Sequence, residues 1–518
     1  MDQVFGASAF SLLDWAVVAV YFGIVTWVGH KFSKEQSGAH SFFLGGRSLP
    51  WYAVSASMVA TAISGVTFIG VPSIVFASTG DFTYLQFAIG GIIAKWLLGH
   101  FFLPRLYEKH YYSPYDFIKD KLGPAFGKIS ALLFFMGGVL GQSVRVYAVA
   151  LVLELMTGLN IFTCISLITG FSIVHTWMGG IKAVVWTDFV QFFVFIAGGV
   201  LSIAFASRGI EGGLTGIMAT ASEAGKTHVF NFALDKNVSF TFWAALIGMP
   251  FQNLAAFATD QLNTQRLLCC KNSHEAKKAL YWSNISECIT LLFLIVGASL
   301  FVFYNNNVLP EGLATMVAEK GDRIFPAFII SVLPSGLKGL LIAGIFAAAM
   351  SSLDSVLAAL SQTSITMFNK DFNAGTMSDT KVLSLSRALI LFWGAILALV
   401  AWTLSNTAAA IVPLAFTMTA YTYGPMLGLF LLAALVPKER IHSLGLGVTM
   451  SILVVLLINK PSLLCGVLNA SQGFCSSEGK SLVAFPWLFP VGSLTCVIFS
   501  MLPINTNLAR KHALNGVN

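Results

Sequence analysis

The stretch MVATAISGVTFIG, residues 58–70, interrupts an apolar segment with small and polar residues. Because Gly65 costs a helix about 1 kcal/mol relative to alanine, we predict that the segment unwinds near this point. Unwound backbone is tolerated at membrane depth only where it is buried in protein or lines a cavity, and its freed carbonyls can then bind a cation. The alternative is a continuous helix whose small residues allow close packing against its neighbours.

The composition places this segment in a membrane. Hydrophobic residues make up 56% of the 518 residues and charged residues only 10%, whereas soluble domains carry about 25% charged residues. One bilayer crossing needs about 20 apolar residues, and no loop has room for a soluble domain, so we predict one membrane domain over residues 1–518. We find thirteen apolar segments: 10–31, 49–77, 82–104, 126–157, 160–178, 183–207, 238–260, 279–305, 327–368, 383–405, 408–436, 441–459 and 483–503. We expect Pro334 to Gly336 to divide the ninth segment, 327–368, so that a spanning helix begins at about 337.

Basic residues are concentrated in alternate loops between these segments. Arg105 and Lys271 belong to the richer set of loops, whereas Lys320 belongs to the poorer set. Because Lys and Arg accumulate on the cytoplasmic side, we expect a multi-pass protein of the plasma membrane (the cytoplasmic membrane if bacterial), with its N-terminus outside and its C-terminus in the cytoplasm. The basic charge then reflects orientation in the lipid bilayer, and no nucleic-acid partner is expected. One loop placed outside contains Cys465 and Cys475, for which a disulfide is left open.

A second polar stretch, AAAMSSLDSVLA at residues 347–358, lies inside the ninth segment. A charged side chain at the centre of a membrane helix costs roughly 2.5–3.5 kcal/mol, so Asp354 requires a functional or structural reason. At helical spacing Ser351 and Ser355 are i,i+4 neighbours, and their hydroxyls could join the carbonyls freed near Gly65 in a cage for a small hard cation. The alternative is that each serine hydroxyl bonds the carbonyl one turn back.

Three further stretches give these segments a family resemblance. They are SFFLGGRSLPWY at 41–52, TWMGGIKAVVWTDFVQ at 176–191 and DQLNTQR at 260–266. With them, nearly the whole chain resembles the sodium:solute symporter family, which includes sodium/glucose, proline, sialic acid and monocarboxylate transporters. The resemblance implies an all-α integral membrane protein of about 13 transmembrane helices, with the leucine-transporter type inverted repeat of five plus five helices. The repeats would cover about 49–207 and 238–436, and the peripheral helices about 10–31, 441–459 and 483–503.

The resemblance also implies sodium sites. Na+ would lie between the broken helix and the helix that contains residues 347–358. Carried over by motif, its ligands are the carbonyls of Ala60, Ile63 and Ala348 and the hydroxyls of Ser351 and Ser352.

Some members hold a second sodium ion nearby, and here Asp188 and Ser355 match its ligands. Asp354 stands where those members carry a neutral residue, which would strengthen a second cation site or make it proton-sensitive. The alternative role for Asp188 is a salt bridge or a helix cap at the cytoplasmic end.

Substrate residues follow from the same register. The family's pocket would be lined by Ser64, Thr67, Phe82, Gln86 and Asn253.

Two intramembrane charges, Arg145 and Glu287, would join this pocket. Sialic acid members carry an arginine about one turn before position 145, and a guanidinium fork suits a carboxylate. Sugar-transporting members have a lysine at the register of Glu287, which here would bind hydroxyls or an amine. The alternative is that both charges pair with other protein groups and only support the fold.

The implied function is sodium-coupled symport of a small polar organic solute by alternating access. A carboxylate-bearing solute, a sugar or an acidic sugar such as sialic acid is favoured, and amino acid or vitamin uptake is the alternative. We expect the protein to act as a monomer. An intramembrane enzyme or sensor is the rival class, but no HExxH-type pair occurs and the tail after 503 has no room for a signalling domain.

Overall fold

The computed structural model describes residues 10–33, 43–109, 111–373, 376–407, 409–461 and 481–503. Over these ranges the chain is helical, and its one extended pairing is an isolated bridge between Leu49 and Cys270. The loop with Cys465 and Cys475 lies outside the described residues. The α-helices, numbered in chain order, are α1 Leu12–Ser33, α2 Trp51–Ala62, α3 Gly65–Phe76, α4 Phe87–Leu97, α5 Leu103–Glu108, α6 Pro114–Leu122, α7 Pro124–Thr157, α8 Ile161–Ala206, α9 Gly213–Glu223, α10 Met249–Leu254, α11 Gln261–Leu268, α12 Ser273–Trp282, α13 Ser286–Asn306, α14 Glu311–Glu319, α15 Ile324–Val332, α16 Leu337–Phe368, α17 Lys370–Asn373, α18 Asp379–Leu404, α19 Ile411–Leu435, α20 Leu444–Asn459 and α21 Leu488–Met501.

Membrane-spanning helices account for most of the predicted segments. In the described part of the chain seven helices are long and apolar enough to cross a bilayer, and the bent pair α2–α3 makes an eighth. Four shorter apolar helices, Leu12–Val28, Ile161–Trp177, Leu444–Asn459 and Phe485–Met501, match further predicted segments. Segment 238–260 alone has no such helix, so the number of thirteen stays a prediction. The segments 160–178 and 183–207 run together in α8, whose 46 residues are about twice what one crossing needs.

The helix break predicted in the second segment is confirmed. Helices α2 and α3 meet at an angle of 53°. Between them Ser64 is extended, with φ −87° and ψ 178°. Gly65 is the first residue of α3, and a Cβ added there would lie 2.5 Å from Cγ2 of Val149 on α7. The glycine therefore serves the close approach of α7 as well as the break.

The central helix of the bundle is α16, which packs against α1, α7, α8 and α18. It begins at Leu337, as predicted, after the shorter helix α15. Gly336 has φ +87°, and the carboxylate of Asp14 accepts hydrogen bonds from the backbone N–H groups of Gly336 and Gly339, at 2.7 and 2.9 Å. A carboxylate at a helix N-terminus satisfies free N–H groups and suits the helix dipole, so α1 fixes the start of α16.

The seventh predicted segment, 238–260, is not a regular α-helix. A π-helical turn at Ala244–Gly248 precedes α10, and a second one at Ala255–Thr259 follows it. The segment ends at Asp260, whose side chain caps α11 by accepting from the N–H of Leu262 at 2.9 Å. All eight residues of α11 are buried. Because π turns often mark functional positions in helices, the interior of this segment is a candidate for ligand contact.

Candidate functional site

A cavity of about 190 Å³ lies beside the break between α2 and α3. Side chains from α3, α4, α7, α10, α13 and α19 also line it. Five of the seven predicted substrate residues contribute to its wall: Ser64, Thr67, Arg145, Asn253 and Glu287.

The structure places the other two predicted substrate residues outside this wall. Gln86 is buried, and its amide bonds the carbonyl oxygens of Thr83 and Phe240 and the N–H of Asn231. Phe82 is buried beside it in the chain. The chain forms a 3-10 turn at Thr83–Gln86 before α4 begins at Phe87. Tyr84 and Phe87 line the wall in their place.

The helix break that contains Ala60 and Ile63 contacts α16 at Ser351. Oγ1 of Thr61 lies 3.4 Å from Oγ of Ser351. No hydrogen bond across the break ends on the carbonyl oxygen of Ala60 or Ile63 in the described part of the chain. Ala348 lies one turn before Ser352 on α16. Buried carbonyls are almost always paired, so two buried carbonyls without hydrogen bonds beside two hydroxyls fit a small cation.

The serines of α16 fall into two groups. Ser355 donates to the carbonyl oxygen of Ser351 one turn back, at 2.6 Å. Its hydroxyl is therefore used within the helix, as the alternative to cation binding predicts. No such bond is made by the hydroxyl of Ser351 or Ser352 within the described residues. Both hydroxyls are buried; that of Ser351 lies beside Oγ1 of Thr61, and that of Ser352 accepts from Arg145.

The predicted second sodium ligands do not form one cage. Asp188 of α8 and Ser355 both bond the guanidinium of Arg266, with Nη2 of Arg266 3.1 Å from Oδ2 of Asp188. Asp354 instead bonds Nδ1 of His175 and accepts from the hydroxyl of Thr176 at 3.2 Å. Consecutive residues of an α-helix point about 100° apart, so Asp354 and Ser355 face different neighbours. The salt bridge named as the alternative for Asp188 is present.

The two intramembrane charges lie in the cavity without pairing with each other. Nη1 of Arg145 is 3.3 Å from the carbonyl oxygen of Thr61, from Oε1 of Gln142 and from Oγ of Ser352. These hydrogen-bond partners are neutral, and the acid Asp260 lines the same cavity and acts on the guanidinium by its charge.

Glu287 lies in another part of the cavity wall, beside Asn253. It accepts from Oγ of Ser286 at 3.1 Å. A Cβ added at Gly91 would lie 3.5 Å from Oε1 of Glu287 and 3.6 Å from Oδ1 of Asn253, so both oxygens face the same point.

Comparison with known proteins places this site in a family. The profile of the sodium:solute symporter family matches residues 42–445. The chain belongs to the sodium:solute symporter family. Its members are transporters that couple solute movement to sodium, and this protein is accordingly a transporter and not an enzyme.

Two curated members of the family show its range. The sodium/sialic acid symporter SiaT of Proteus mirabilis (strain HI4320) is 30% identical over 86% of this chain and 89% of its own. The sodium-coupled monocarboxylate transporter 2 of Homo sapiens is 27% identical over 86% of this chain and 73% of its own.

Solved structures agree in fold. A Na+-coupled sialic acid symporter, solved in its substrate-bound outward-open state, superposes with a TM-score of 0.81 at 27% identity, over 95% of this chain and 97% of that chain. The nucleobase-cation-symport-1 family transporter MHP1 gives a TM-score of 0.51 at 15% identity, over 92% and 95% of the two chains, and shows the fold alone.

Lys95 is a cavity residue of this symporter that sequence reasoning misplaced. A lysine late in a membrane segment would be expected to extend toward the membrane surface, but Lys95 is 2% exposed and lines the cavity, with Nζ 5.0 Å from the centre of the Phe257 ring. Lys95 lies four residues after Gly91 on the same face of α4, and both residues line the cavity.

Four buried residues in this symporter also escaped prediction as site residues. Asp260 accepts from the hydroxyl of Tyr423 at 2.6 Å, and both residues line the cavity. His175 and Arg266 hold the two acids beside the serines of α16. Each contact joins residues far apart in the chain, so no local pattern could reveal it.

Proposed function

We propose that the site beside the helix break couples Na+ to the uptake of a small carboxylate-bearing solute by alternating access. The observation that carries this proposal is the pair of buried carbonyls at Ala60 and Ile63 that lack hydrogen bonds in the described part of the chain, at a helix break that contacts the hydroxyl of Ser351 through Thr61. The carbonyl of Ala348, one turn before Ser352, completes the proposed ligand set.

Neutral oxygens suit an ion that must also leave. A site for a conducted or transported ion has to bind strongly enough to fill and weakly enough to empty. Carbonyls and hydroxyls meet this requirement better than a cage of carboxylates. The nearby acids Asp188 and Asp354 are already engaged by Arg266 and His175, which supports a site built from uncharged ligands.

For the solute we propose an acidic sugar rather than a simple monocarboxylate. Arg145 supplies a planar cationic fork for the carboxylate. Asn253 and Glu287 present oxygens that can accept hydrogen bonds from hydroxyls, and Lys95 adds a donor. A solute with a carboxylate and several hydroxyls would use both parts of the wall, and the family's sialic acid symporters give this reading a precedent. A monocarboxylate is the second candidate, because relatives with that substrate exist.

We further propose the architecture of thirteen spans, with inverted repeats over about 49–207 and 238–436. The irregular segments α2–α3 and 244–259 each belong to one repeat, and paired discontinuous helices are typical of such transporters. The N-terminus would lie outside, the C-terminus in the cytoplasm, and the protein would work as a monomer.

Uptake into proteoliposomes tests the function. We expect labelled N-acetylneuraminate to accumulate under an inward sodium gradient and not under a potassium gradient. Ser352→Ala should raise the sodium concentration for half-maximal uptake at least several-fold. Ser331→Ala is the matched control, because this exposed serine donates to the carbonyl of Ala327 and is not part of the proposed ligand set. Equal sodium dependence of wild type and Ser352→Ala would overturn the placement of the ion.

A further inference from the structure

We propose that Lys95 makes this transporter select solutes that carry an acylamino group, a secondary amide with a short alkyl chain, in addition to the carboxylate. The inference rests on the proposed sodium-coupled uptake and names a further feature of the solute. Its basis is a buried ammonium that lines the cavity and for which the described part of the chain offers no hydrogen-bond acceptor.

The ammonium of Lys95 has few contacts with the protein. Among the described residues it makes no hydrogen bond and no ion pair, and it lies over the Phe257 ring at 5.0 Å from the ring centre. Glu287 acts on it only by its charge. An ammonium has three N–H donors, and burying a charged group is costly unless hydrogen bonds replace those to water. The contents of the cavity must therefore supply the acceptors.

The charge of Glu287 favours a neutral acceptor over a second anion. Glu287 lines the same cavity and makes no ion pair among the described residues. A second carboxylate near Lys95 would be attracted by the ammonium and repelled by Glu287. A carbonyl oxygen would accept from the ammonium without adding a charge to the cavity.

The wall next to Lys95 also offers acceptors for an N–H group. Oε1 of Glu287 and Oδ1 of Asn253 both face Gly91. Nδ2 of Asn253 donates to the carbonyl oxygen of Met249 at 3.0 Å, so the oxygen of this amide is the atom left for the solute. Gly91 and Lys95 are one helical turn apart, which is about 6 Å along the axis of α4. Acceptors and donor thus lie at neighbouring but separate positions.

An acylamino group matches this arrangement. In a planar trans amide the N–H and the C=O point in opposite directions, so the N–H can bond Glu287 or Asn253 while the carbonyl accepts from Lys95. The alkyl group can then pack against the Phe257 ring, which lines the cavity beside the ammonium. The second oxygen of the pair remains for a hydroxyl of the same solute. A hydroxyl in place of the acylamino group has one oxygen for both functions and no alkyl group for the ring.

Two solutes that differ at this group test the proposal. N-acetylneuraminate has an acetamido group where ketodeoxynononate has a hydroxyl, and both have the same carboxylate. Their affinities are measured by isothermal titration calorimetry on the full-length protein in nanodiscs at saturating sodium. We expect the wild type to bind N-acetylneuraminate roughly tenfold more tightly, as a hydrogen bond to a charged group implies.

Variants of Lys95 assign this preference to the ammonium. Lys95→Met keeps the length of the side chain and removes the charge, so the two solutes should bind with similar affinity. Lys95→Gln keeps an N–H donor and should retain part of the preference.

Two further variants separate selection from a general loss of binding. Arg145→Lys should weaken both solutes to the same extent, because the carboxylate is common to both. Lys278→Met, at an exposed lysine paired with Glu275, should keep the wild-type ratio of affinities.

Three results would overturn the proposal. A wild type that binds the two solutes equally has no selection for the acetamido group. A Lys95→Met protein that keeps the wild-type ratio shows that another residue makes the selection. Where Lys95→Met does not fold, a Lys95→Gln protein with the full wild-type ratio has the same meaning. A wild type that binds neither solute in sodium would instead contradict the proposed function, and this proposal with it.

Discussion

Arg145 of α7 donates from Nη1 to Oγ of Ser352 of α16 over 3.3 Å. The same nitrogen lies 3.3 Å from the carbonyl oxygen of Thr61 at the helix break. One side chain therefore contacts a proposed sodium ligand and also lines the solute cavity. Because coupling between two binding sites is reciprocal, a change at Arg145 should alter both solute and sodium affinity.

Replacing Arg145 by lysine keeps the charge and removes the fork. Hydrogen bonds to charged groups are worth about 1.5–3 kcal/mol, so we expect the KM for N-acetylneuraminate to rise roughly 10- to 100-fold. The sodium concentration for half-maximal uptake should rise with it, since the contact with Ser352 is lost. Uptake assays at varied solute and sodium concentrations measure both quantities. The control is Arg105→Lys, because Arg105 bonds the carbonyl of Ala434. If Arg145→Lys shifts the KM for the solute without shifting the sodium dependence, the contact of Arg145 with Ser352 does not link the two sites.

Gly91→Ala should distinguish an acidic sugar from a small monocarboxylate. The added methyl would make ordinary contacts of 3.5 and 3.6 Å with the oxygens of Glu287 and Asn253, so the fold should tolerate it. It would occupy the point that both oxygens face. We expect competition by N-acetylneuraminate to weaken several-fold and competition by pyruvate to stay unchanged. Equal effects on the two competitors would show that this part of the wall does not bind the hydroxyls.

Gly65→Ala should destabilise the contact between the broken helix and α7. The new Cβ would lie 2.5 Å from Cγ2 of Val149, and such overpacking typically costs about 1–3 kcal/mol. Thermal unfolding in detergent should show a lower Tm for Gly65→Ala. The double variant with Val149→Ala should recover much of the loss, as expected for residues in contact. Gly170→Ala, which meets nothing within 4 Å, is the control, and additive losses in the double variant would refute the close approach.

Asp322 should make stability depend on pH. It accepts from the hydroxyl of Ser73 on α3 at 2.7 Å and from the N–H of Ile411, the first residue of α19, at 3.0 Å. Burial raises the pKa of this carboxyl above 3.8, against the opposing effect of both hydrogen bonds. The folded protein thus binds the proton more tightly than the unfolded chain, so stability falls as pH rises from that value to the raised pKa and is constant above it.

Comparison of the wild type with Asp322→Asn isolates this effect. Asparagine can keep both hydrogen bonds, because Ser73 can accept from the amide. On acidification from about pH 7 to about pH 4, within the window set by this carboxyl, the Tm of the wild type should rise relative to that of Asp322→Asn. Asp322→Ala loses both bonds and should cost about 1–3 kcal/mol. A Tm difference between wild type and Asp322→Asn that does not change with pH would disprove the raised pKa.

Local features of the sequence were sufficient for the membrane fold and for the break. Every membrane crossing needs a sufficient length of apolar sequence. Each crossing could therefore be predicted from its own residues, without knowledge of the others. Gly65 has a lower helix propensity than the residues around it, so the break near Gly65 could be predicted. The division before Leu337 followed from proline and glycine in the same way.

The partners of buried charges were decided by tertiary structure alone. Which acid meets Arg266, and whether Lys95 points to a cavity or a surface, depends on how far each helix is rotated about its axis. A rotation of one residue, about 100°, sends Asp354 to His175 and Ser355 to Arg266. The sequence therefore determined that a polar centre exists between the broken helix and α16, and packing determined which charge each polar group contacts.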